Sequence, residues 1–314
     1  MALENSLWTE KYRPKKLEDY VWINDAQRTQ VEGWIRDRDI PHVLLSGGPG
    51  CGKSTLAKLM LLELNVSSSD IRFVNASHHR GIDFIRDLTG FAETMPMGDY
   101  RYVILDEADR LTSEAQDALK SMIEEYSAVC RWILTTNRPN KITGPLHSRM
   151  QGFHVESLDR EQFVTRVATI LIAEGIDLTE ENLEIVDEYA TVAYPDLRKC
   201  INMLQQNCKD GELRRPSGNS ASTMGEYMVQ AVNLFKNGKI HDARKVICAS
   251  ANEADWEEIY KLLYRNINWW GNTEDQQHRA IVIIANRLRD HTLVADPELN
   301  MAATLIELSM VATG

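Results

Sequence analysis

Residues 41–56 read PHVLLSGGPGCGKSTL. The apolar run Val43-Leu44-Leu45 leads into Gly47, Gly48, Pro49, Gly50, Cys51, Gly52, Lys53 and Ser54, which fit G-x-x-x-x-G-K-[ST]. Thr55 closes the phosphate-binding stretch, and an amphipathic run continues from Leu56 to Leu64. Strand, loop and helix in that order are the context a phosphate-binding loop requires. Glycines let the backbone curl until several N–H groups face one anion, at a helix N-terminus that already carries positive potential. Lys53 adds a point charge for the β- and γ-phosphates, and Ser54 offers a hydroxyl to Mg²⁺. A glycine-rich turn that happens to hold a lysine is the bland alternative, disfavoured by the strand before it and the helix after it.

A chain of 314 residues exceeds one typical core, so two or three domains are expected. With 43% apolar and 26% charged residues the composition is globular and leaves no room for a long disordered tail. The longest apolar runs, such as Ala280 to Ala285, are too short for a bilayer, and the N-terminus lacks an apolar secretion signal, so no membrane partner is expected. Five scattered cysteines form no C-x-x-C pair, which suits a reducing cytoplasm without structural zinc. Thirty-five basic against 46 acidic residues give a net charge of −11, which excludes a surface coated in nucleic acid but leaves room for a local basic strip.

Upstream of the loop, Trp8-Thr9-Glu10-Lys11-Tyr12-Arg13-Pro14 forms an arm before a helix around Asp25 to Arg36, because Pro14 keeps Arg13 extended. Tyr12, Arg13 and Pro14 suit the adenine-side wall of a nucleotide pocket, and equally a surface arm. Downstream, Ile71 to Asn75 is a short strand, and Ile82, Ile85 and Leu88 mark one face of a helix starting near Arg80. Arg80 and Arg86 at that helix start fit a phosphate-backbone contact or two solvated arginines. The pair His78-His79 lacks partners at ligand spacing and is not read as a metal site.

Tyr102-Val103-Ile104-Leu105 is an apolar strand ending in Asp106-Glu107-Ala108-Asp109. At that end Asp106 would hold Mg²⁺ and Glu107 would orient and deprotonate the attacking water. A helix from Ser113 to Tyr126 precedes a second buried strand, Arg131 to Asn137, whose terminal Asn137 would sit beside the acids, within reach of the γ-phosphate or the water. A strand between the nucleotide-binding and acidic strands separates this pattern from kinase-type folds. Arg149 lies just before the last strand, Gly152 to Glu156. The remainder is helical: Asp159 with Gln162 opens one helix, Thr179 a second, and Pro195-Asp196-Leu197-Arg198 a third with Leu197, Cys200, Ile201, Leu204 and Cys208 on one face. Arg198 stands one step off that face. Residues 209–225 are polar and turn-rich, the clearest boundary in the chain. Trp269-Trp270 and the stripe Ile281, Ile284, Ala285, Leu288 read as core or subunit contact.

Taken together, the Trp8–Pro14 segment, the phosphate loop, Asp106 to Asp109, Thr135-Thr136-Asn137, Ser148-Arg149 and Pro195 to Arg198 resemble, in order, the motifs of AAA+ sliding-clamp loaders. The resemblance is to the small subunits of replication factor C and to the equivalent ATPase subunit of T-even-like phages. It implies an α/β AAA+ core, a parallel five-stranded sheet with helices on both faces, over residues 1–157. A helical lid would follow at 158–212 and an all-α oligomerisation collar at 213–314. By the same resemblance Asp106 and Glu107 are the metal-holding and water-activating acids and Asn137 the first sensor. Arg149 would be an arginine finger for the neighbouring subunit's ATP, and Arg198 the second sensor. Arg80, Gly81 and Arg86 would line a DNA strip, and Gln116 would couple that strip to the active site.

The implied cofactors are ATP and Mg²⁺. The implied partners are a sliding clamp, primer–template DNA, further copies of the chain and a distinct companion subunit in a pentameric assembly, in the cytoplasm (of the host, if phage-encoded). Departures from the family pattern include Cys51 for Thr, Met150 after the finger, Pro195 for Gly, Lys120-Ser121 for a double Arg, and Val21-Trp22-Ile23 for Val-Gly-Gln. Three rivals remain: a helicase of the Asp-Glu-Ala-Asp type, which lacks its second motor domain here; another AAA+ nucleic-acid remodeller; and a non-hydrolysing switch subunit. The last usually loses Lys53, Glu107 or the finger, and all three are present.

Overall fold

Strands buried on both faces read as near-continuous apolar runs, and three such strands stand among the described residues. β1 (Val43–Ser46), β3 (Arg101–Asp106) and β4 (Cys130–Thr136) join two shorter strands, β2 (Ile71–Asn75) and β5 (Gln151–His154), in one sheet of order β2-β3-β4-β1-β5. All four pairings are parallel. β4 thus stands between β1 and β3, as the sequence suggested. The computed structural model describes residues 7–78, 81–209, 211–215 and 224–313. The chain divides into two compact units, Met1–Phe163 with Pro195–Arg198, and Val164–Tyr194 with Lys199–Gly314.

In the first unit, alternation along each strand splits the core between the two faces of the sheet. Val43 and Leu45 point to the side covered by α2 (Asp25–Arg36) and α3 (Lys53–Glu63), where Val31, Leu56, Ala57 and Met60 are buried. Leu44, Val103, Leu105 and Trp132 point to the other side, against α4 (Ile82–Ala92) and α5 (Ser113–Glu125), where Ile85, Leu88, Leu119 and Ile123 are buried. The result is the expected three-layer α/β unit. All of its crossovers carry the chain back so that every strand's C-terminal end lies on one rim, where ligands bind in open parallel sheets.

N-terminal to α2, the arm forms a single turn, α1 (Trp8–Lys11), and then follows α3. Leu17 is buried in the α3-side core, and its N–H donates to the Glu63 carboxylate at 3.0 Å. Between β4 and β5 lies the short α6 (Gly144–His147).

The second unit contains most of α7 (Arg160–Ala173), α8 (Glu180–Ala193), most of α9 (Leu197–Asn207) and five further helices, α10 (Met224–Lys236), α11 (Ile240–Ser250), α12 (Trp256–Arg265), α13 (Glu274–His291) and α14 (Pro297–Thr313). The caps of α7 and α8 follow the sequence signals: Asp159 accepts the Gln162 N–H at 2.7 Å and Thr179 the Asn182 N–H at 3.2 Å. One expectation needs correction. The face running from Leu197 to Cys208 stops at Asn207, and Cys208 instead pairs with Leu213 in a two-stranded antiparallel ribbon, β6 (Cys208–Lys209) with β7 (Glu212–Leu213). On α13 the buried residues are Ala280 and Ile284, whereas Ala285 is exposed. Trp270 is core, with its indole N–H donating to Leu263 O at 3.2 Å, and Trp269 stacks on Phe235. Glu188 is buried and held by the Arg215 fork and by Asn233 at 2.6 Å, so its charge is compensated.

On the rim opposite the C-terminal ends of the strands, the Trp132 N–H donates to His42 Nδ1 at 3.3 Å, and His42 O accepts from Gln151 N at 2.7 Å. Burial, reinforced by the Arg131 cation and opposed by Asp39, lowers the His42 pKa from 6.5 to about 4. The fold therefore holds His42 neutral while the unfolded chain takes up a proton, so stability falls as the pH drops from about 6.5 to about 4. His42→Gln keeps an acceptor for Trp132 without the titration. Urea unfolding across that window should show a flatter pH dependence for the variant; identical curves would mean His42 does not contribute.

Candidate nucleotide-binding active site

Between the end of β1 and the start of α3, residues 47–52 wrap as a loop whose backbone only glycine tolerates at its tightest point. Gly50 has φ +72°, and a Cβ there would lie 2.1 Å from the Asp196 carboxylate. Gly52 caps α3 in the left-handed region with the Tyr20 ring against it, and the Tyr20 hydroxyl donates to Cys51 O at 3.5 Å. Burial pushes the Tyr20 phenol far above the usual tyrosine range, so it remains a donor.

Lys53, the first residue of α3, is 8% exposed. Its ammonium donates to Gly47 O at 3.0 Å, Gly48 O at 2.7 Å and Asn137 Oδ1 at 2.7 Å, and lies 3.6 Å from Cys51 Sγ. A buried cation surrounded by neutral oxygens, at the positive end of a helix, is an anion site by its own chemistry. Register explains how Asn137 gets there. Ser46 pairs with Thr136 across β1 and β4, so the residues that follow, Gly47 and Asn137, leave the sheet side by side.

Next along the rim, Ser54 Oγ donates to Asp106 Oδ1 at 2.6 Å, and the Thr135 hydroxyl donates to the same oxygen. A hydroxyl and a carboxylate at the end of β3 are hard oxygen donors, the set that suits Mg²⁺ bound through few protein ligands. Glu107 has φ +56° and ψ +44°, a left-handed conformation that costs a non-glycine residue on the order of 1–2 kcal/mol. Such strain clusters where a side chain must be aimed. The Glu107 N–H donates to Thr135 Oγ1 at 3.2 Å, and its carboxylate lies 3.8 Å from Arg110.

Thus Lys53, Ser54, Asp106, Glu107 and Asn137 come together as the sequence suggested. Three supporting residues escaped that reading. Asp109 accepts from the Thr136 hydroxyl at 2.9 Å and from the Asn137 N–H at 3.4 Å, fixing the strand end that carries Asn137. Thr135 joins the two acids, and Tyr20 closes the back of the loop. Thr135 and Asp109 stand in quoted motifs, so their presence was visible but not their partners.

The remaining candidates are more dispersed. Arg13 pairs with Glu10 at 2.6 Å and, with Pro14, lines a groove alongside Thr55; Lys11 lies over the Tyr12 ring. Arg198 is exposed. Arg149 is ion-paired with Glu124 of α5 and donates to Pro145 O at 2.7 Å. Gln116 is buried; its amide donates to Leu111 O at 3.3 Å and Lys141 O at 3.1 Å and accepts from Thr143 N at 2.8 Å. Gly81 caps α4, Arg86 pairs with Asp83 at 3.3 Å on an exposed face, and Arg80 lies outside the described residues.

Residues 43–156 match the family model of the "ATPase family associated with various cellular activities" (AAA). Sheet, loop and rim acids together define an ATP-hydrolysing phosphate-loop enzyme of that class. Over 295 residues the chain is 37% identical to the replication factor C small subunit of Methanocella arvoryzae, covering 91% of this chain and 89% of the relative. It is 34% identical over 282 residues to the Aeropyrum pernix protein of that name (88% and 81% covered) and 32% over 279 to that of Methanococcus vannielii (85% and 82%). The chain belongs to the replication factor C small-subunit family. Among solved structures, the Thermotoga maritima RuvB Holliday junction branch migration motor is 20% identical with a TM-score of 0.54, covering 93% of this chain and 91% of RuvB; that likeness is one of fold.

Asp109→Ala removes the acceptor that seats Thr136 and Asn137. A lost hydrogen bond to a charged group is worth about 1.5 kcal/mol, so ATP turnover should fall roughly tenfold while nucleotide affinity changes little. Steady-state turnover beside nucleotide titration checks this, and unchanged turnover would show that Asn137 does not need the support.

Proposed function

We propose that this chain is the ATPase subunit of a DNA sliding-clamp loader. The observation that carries the nucleotide chemistry is Lys53, a buried cation among neutral oxygens beside Asn137 and next to the Ser54–Asp106 pair. The relatives named replication factor C small subunit, matched over most of their length, support the assignment to clamp loading.

In this reading the loop N–H groups from Gly48 to Thr55 and the Lys53 ammonium receive the ATP phosphates, with Tyr12, Arg13 and Pro14 on the base side. Ser54 and Asp106 hold Mg²⁺, which when bound offsets phosphate charge. Glu107 takes the proton of the attacking water, and Asn137 orients that water or the γ-phosphate. Arg198 contacts the phosphates of its own chain's nucleotide. Arg149 leaves Glu124 and enters the site of the next copy. ATP thereby draws several copies and a companion subunit into a pentameric spiral that opens the clamp on primer–template DNA, and hydrolysis releases the loaded clamp.

Residues 158–212 act as lid and 213–314 as collar. Arg80, Gly81 and Arg86 follow the DNA backbone. Gln116 provides the coupling, because its bonds tie α5 to residues 141–143, midway between Asn137 and Arg149. No helix among the described residues is long and apolar enough to cross a membrane, and we place the work in the cytoplasm, of the host if the chain is phage-encoded.

ATP turnover measured with primed template, single-stranded and blunt duplex DNA tests the reading. A rise specific to primer–template junctions, larger with a cognate clamp, is expected; equal stimulation by every DNA would contradict clamp loading. Arg86→Ala should reduce the log–log salt slope of DNA binding by about 0.9, one phosphate's share, and an unchanged slope would leave Arg86 solvated.

A further inference from the structure

Along α3, beside the phosphate loop, Lys58, Leu59 and Leu62 meet Arg13, Pro14 and Lys15 of the arm around a groove of about 300 Å³. Pro14, Leu59 and Leu62 supply apolar walls, and Leu62 is 57% exposed. Arg13, Lys15 and Lys58 give the groove three cationic side chains, in a chain whose net charge is −11. Lys58 is steadied by the Phe73 ring, 4.4 Å from its ammonium. Thr55, which follows Ser54 in the chain, also lines the groove.

A surface of opposite sign flanks Arg149. Glu114, Asp117, Ser121 and Glu124 follow one another along α5 at helical spacing, all exposed, with Glu125 beside them. Glu124 holds Arg149 within the chain. For Arg149 to reach a phosphate it must let Glu124 go, which leaves an exposed carboxylate able to pair with another cation. In the groove Arg13 already pairs with Glu10, and the exposed Lys15 and Lys58 supply that cation.

We propose that the α3–arm groove seats the acidic ridge of α5 from a second copy of this chain. On this account Glu124 exchanges Arg149 for a groove cation as Arg149 enters the neighbouring site. The inference rests on the reading of Arg149 as a finger acting between copies. It adds the surface that guides the finger into place: opposite charges steer and fix register, and the apolar walls exclude water around them. The exchange also keeps Arg149 paired in the free chain, so assembly and completion of the active site become one event.

The test uses two full-length variants outside the nucleotide machinery, Lys15→Glu/Lys58→Glu and Glu114→Lys/Asp117→Lys. Sedimentation in ATP and Mg²⁺ reads self-association, and nucleotide titration reads the site and its folding. Each variant alone should associate at least about tenfold more weakly than wild type with nucleotide affinity preserved, and an equal mixture should regain association through the restored pair. Wild-type association in either variant, failure of the mixture to recover, or a wild-type chain that stays monomeric with ATP overturns the proposal. So does reduced DNA binding by the Lys15→Glu/Lys58→Glu chain with unchanged association, which would assign the groove to nucleic-acid phosphates. Arg149→Ala separates the two levels: unchanged turnover in that variant defeats the finger itself, whereas lost turnover with charge reversals that do nothing defeats only the groove.

Discussion

The active end of the molecule depends on one buried ammonium. Lys53 is removed from water with neutral oxygens as its partners, an arrangement that is costly unless something anionic shares the space. Its placement needs the glycine backbone of the loop on one side and Asn137 on the other. Asn137 is there because β4 runs parallel to β1 in a register that ends both strands together. Strand order is therefore chemical as well as architectural.

From that point the supports spread outward along hydrogen bonds. Asp109 seats Thr136 and Asn137, while Thr135 bridges Asp106 and the left-handed Glu107. Beyond Asn137 the chain runs to Lys141 and Thr143, where Gln116 pins it to α5, and then through α6 to Arg149, which returns to α5 through Glu124. Asn137 and Arg149 are thus two ends of one segment braced twice against the same helix. In the proposed assembly that segment faces its own nucleotide at one end and the neighbour's at the other, so a shift of α5 reaches both.

The sheet, its helices and the phosphate loop were legible in the sequence because each rests on a local pattern: apolar runs in β1, β3 and β4, glycines before Lys53, and Asp159 and Thr179 as helix caps. The rim acids were legible because strands deliver their last residue to a known edge. What the sequence concealed depends on distant partners. Nothing near Arg149 in the chain announces Glu124, 25 residues earlier, and nothing near His42 announces the Trp132 N–H it accepts, 90 residues later. Cys208 looked helical because its spacing from Leu204 continues the α9 face, yet cross-strand pairing with Leu213 takes it into a ribbon. Glu107 carried no sign of its left-handed backbone, which the turn from β3 imposes.

The central claim is that the ATP site is complete only when a second copy lends Arg149, and the most direct measurement mixes two inactive chains. Lys53→Ala lacks a functional phosphate loop but keeps its arginine, and Arg149→Ala keeps the loop but lacks the finger. A finger supplies about 10³–10⁵ in rate in phosphate-loop enzymes, so each chain alone should be nearly inert. Their mixture should recover turnover, with a maximum at intermediate ratios, as Lys53→Ala chains complete the sites of their neighbours. No recovery at any ratio, in chains that still bind one another, would contradict the account.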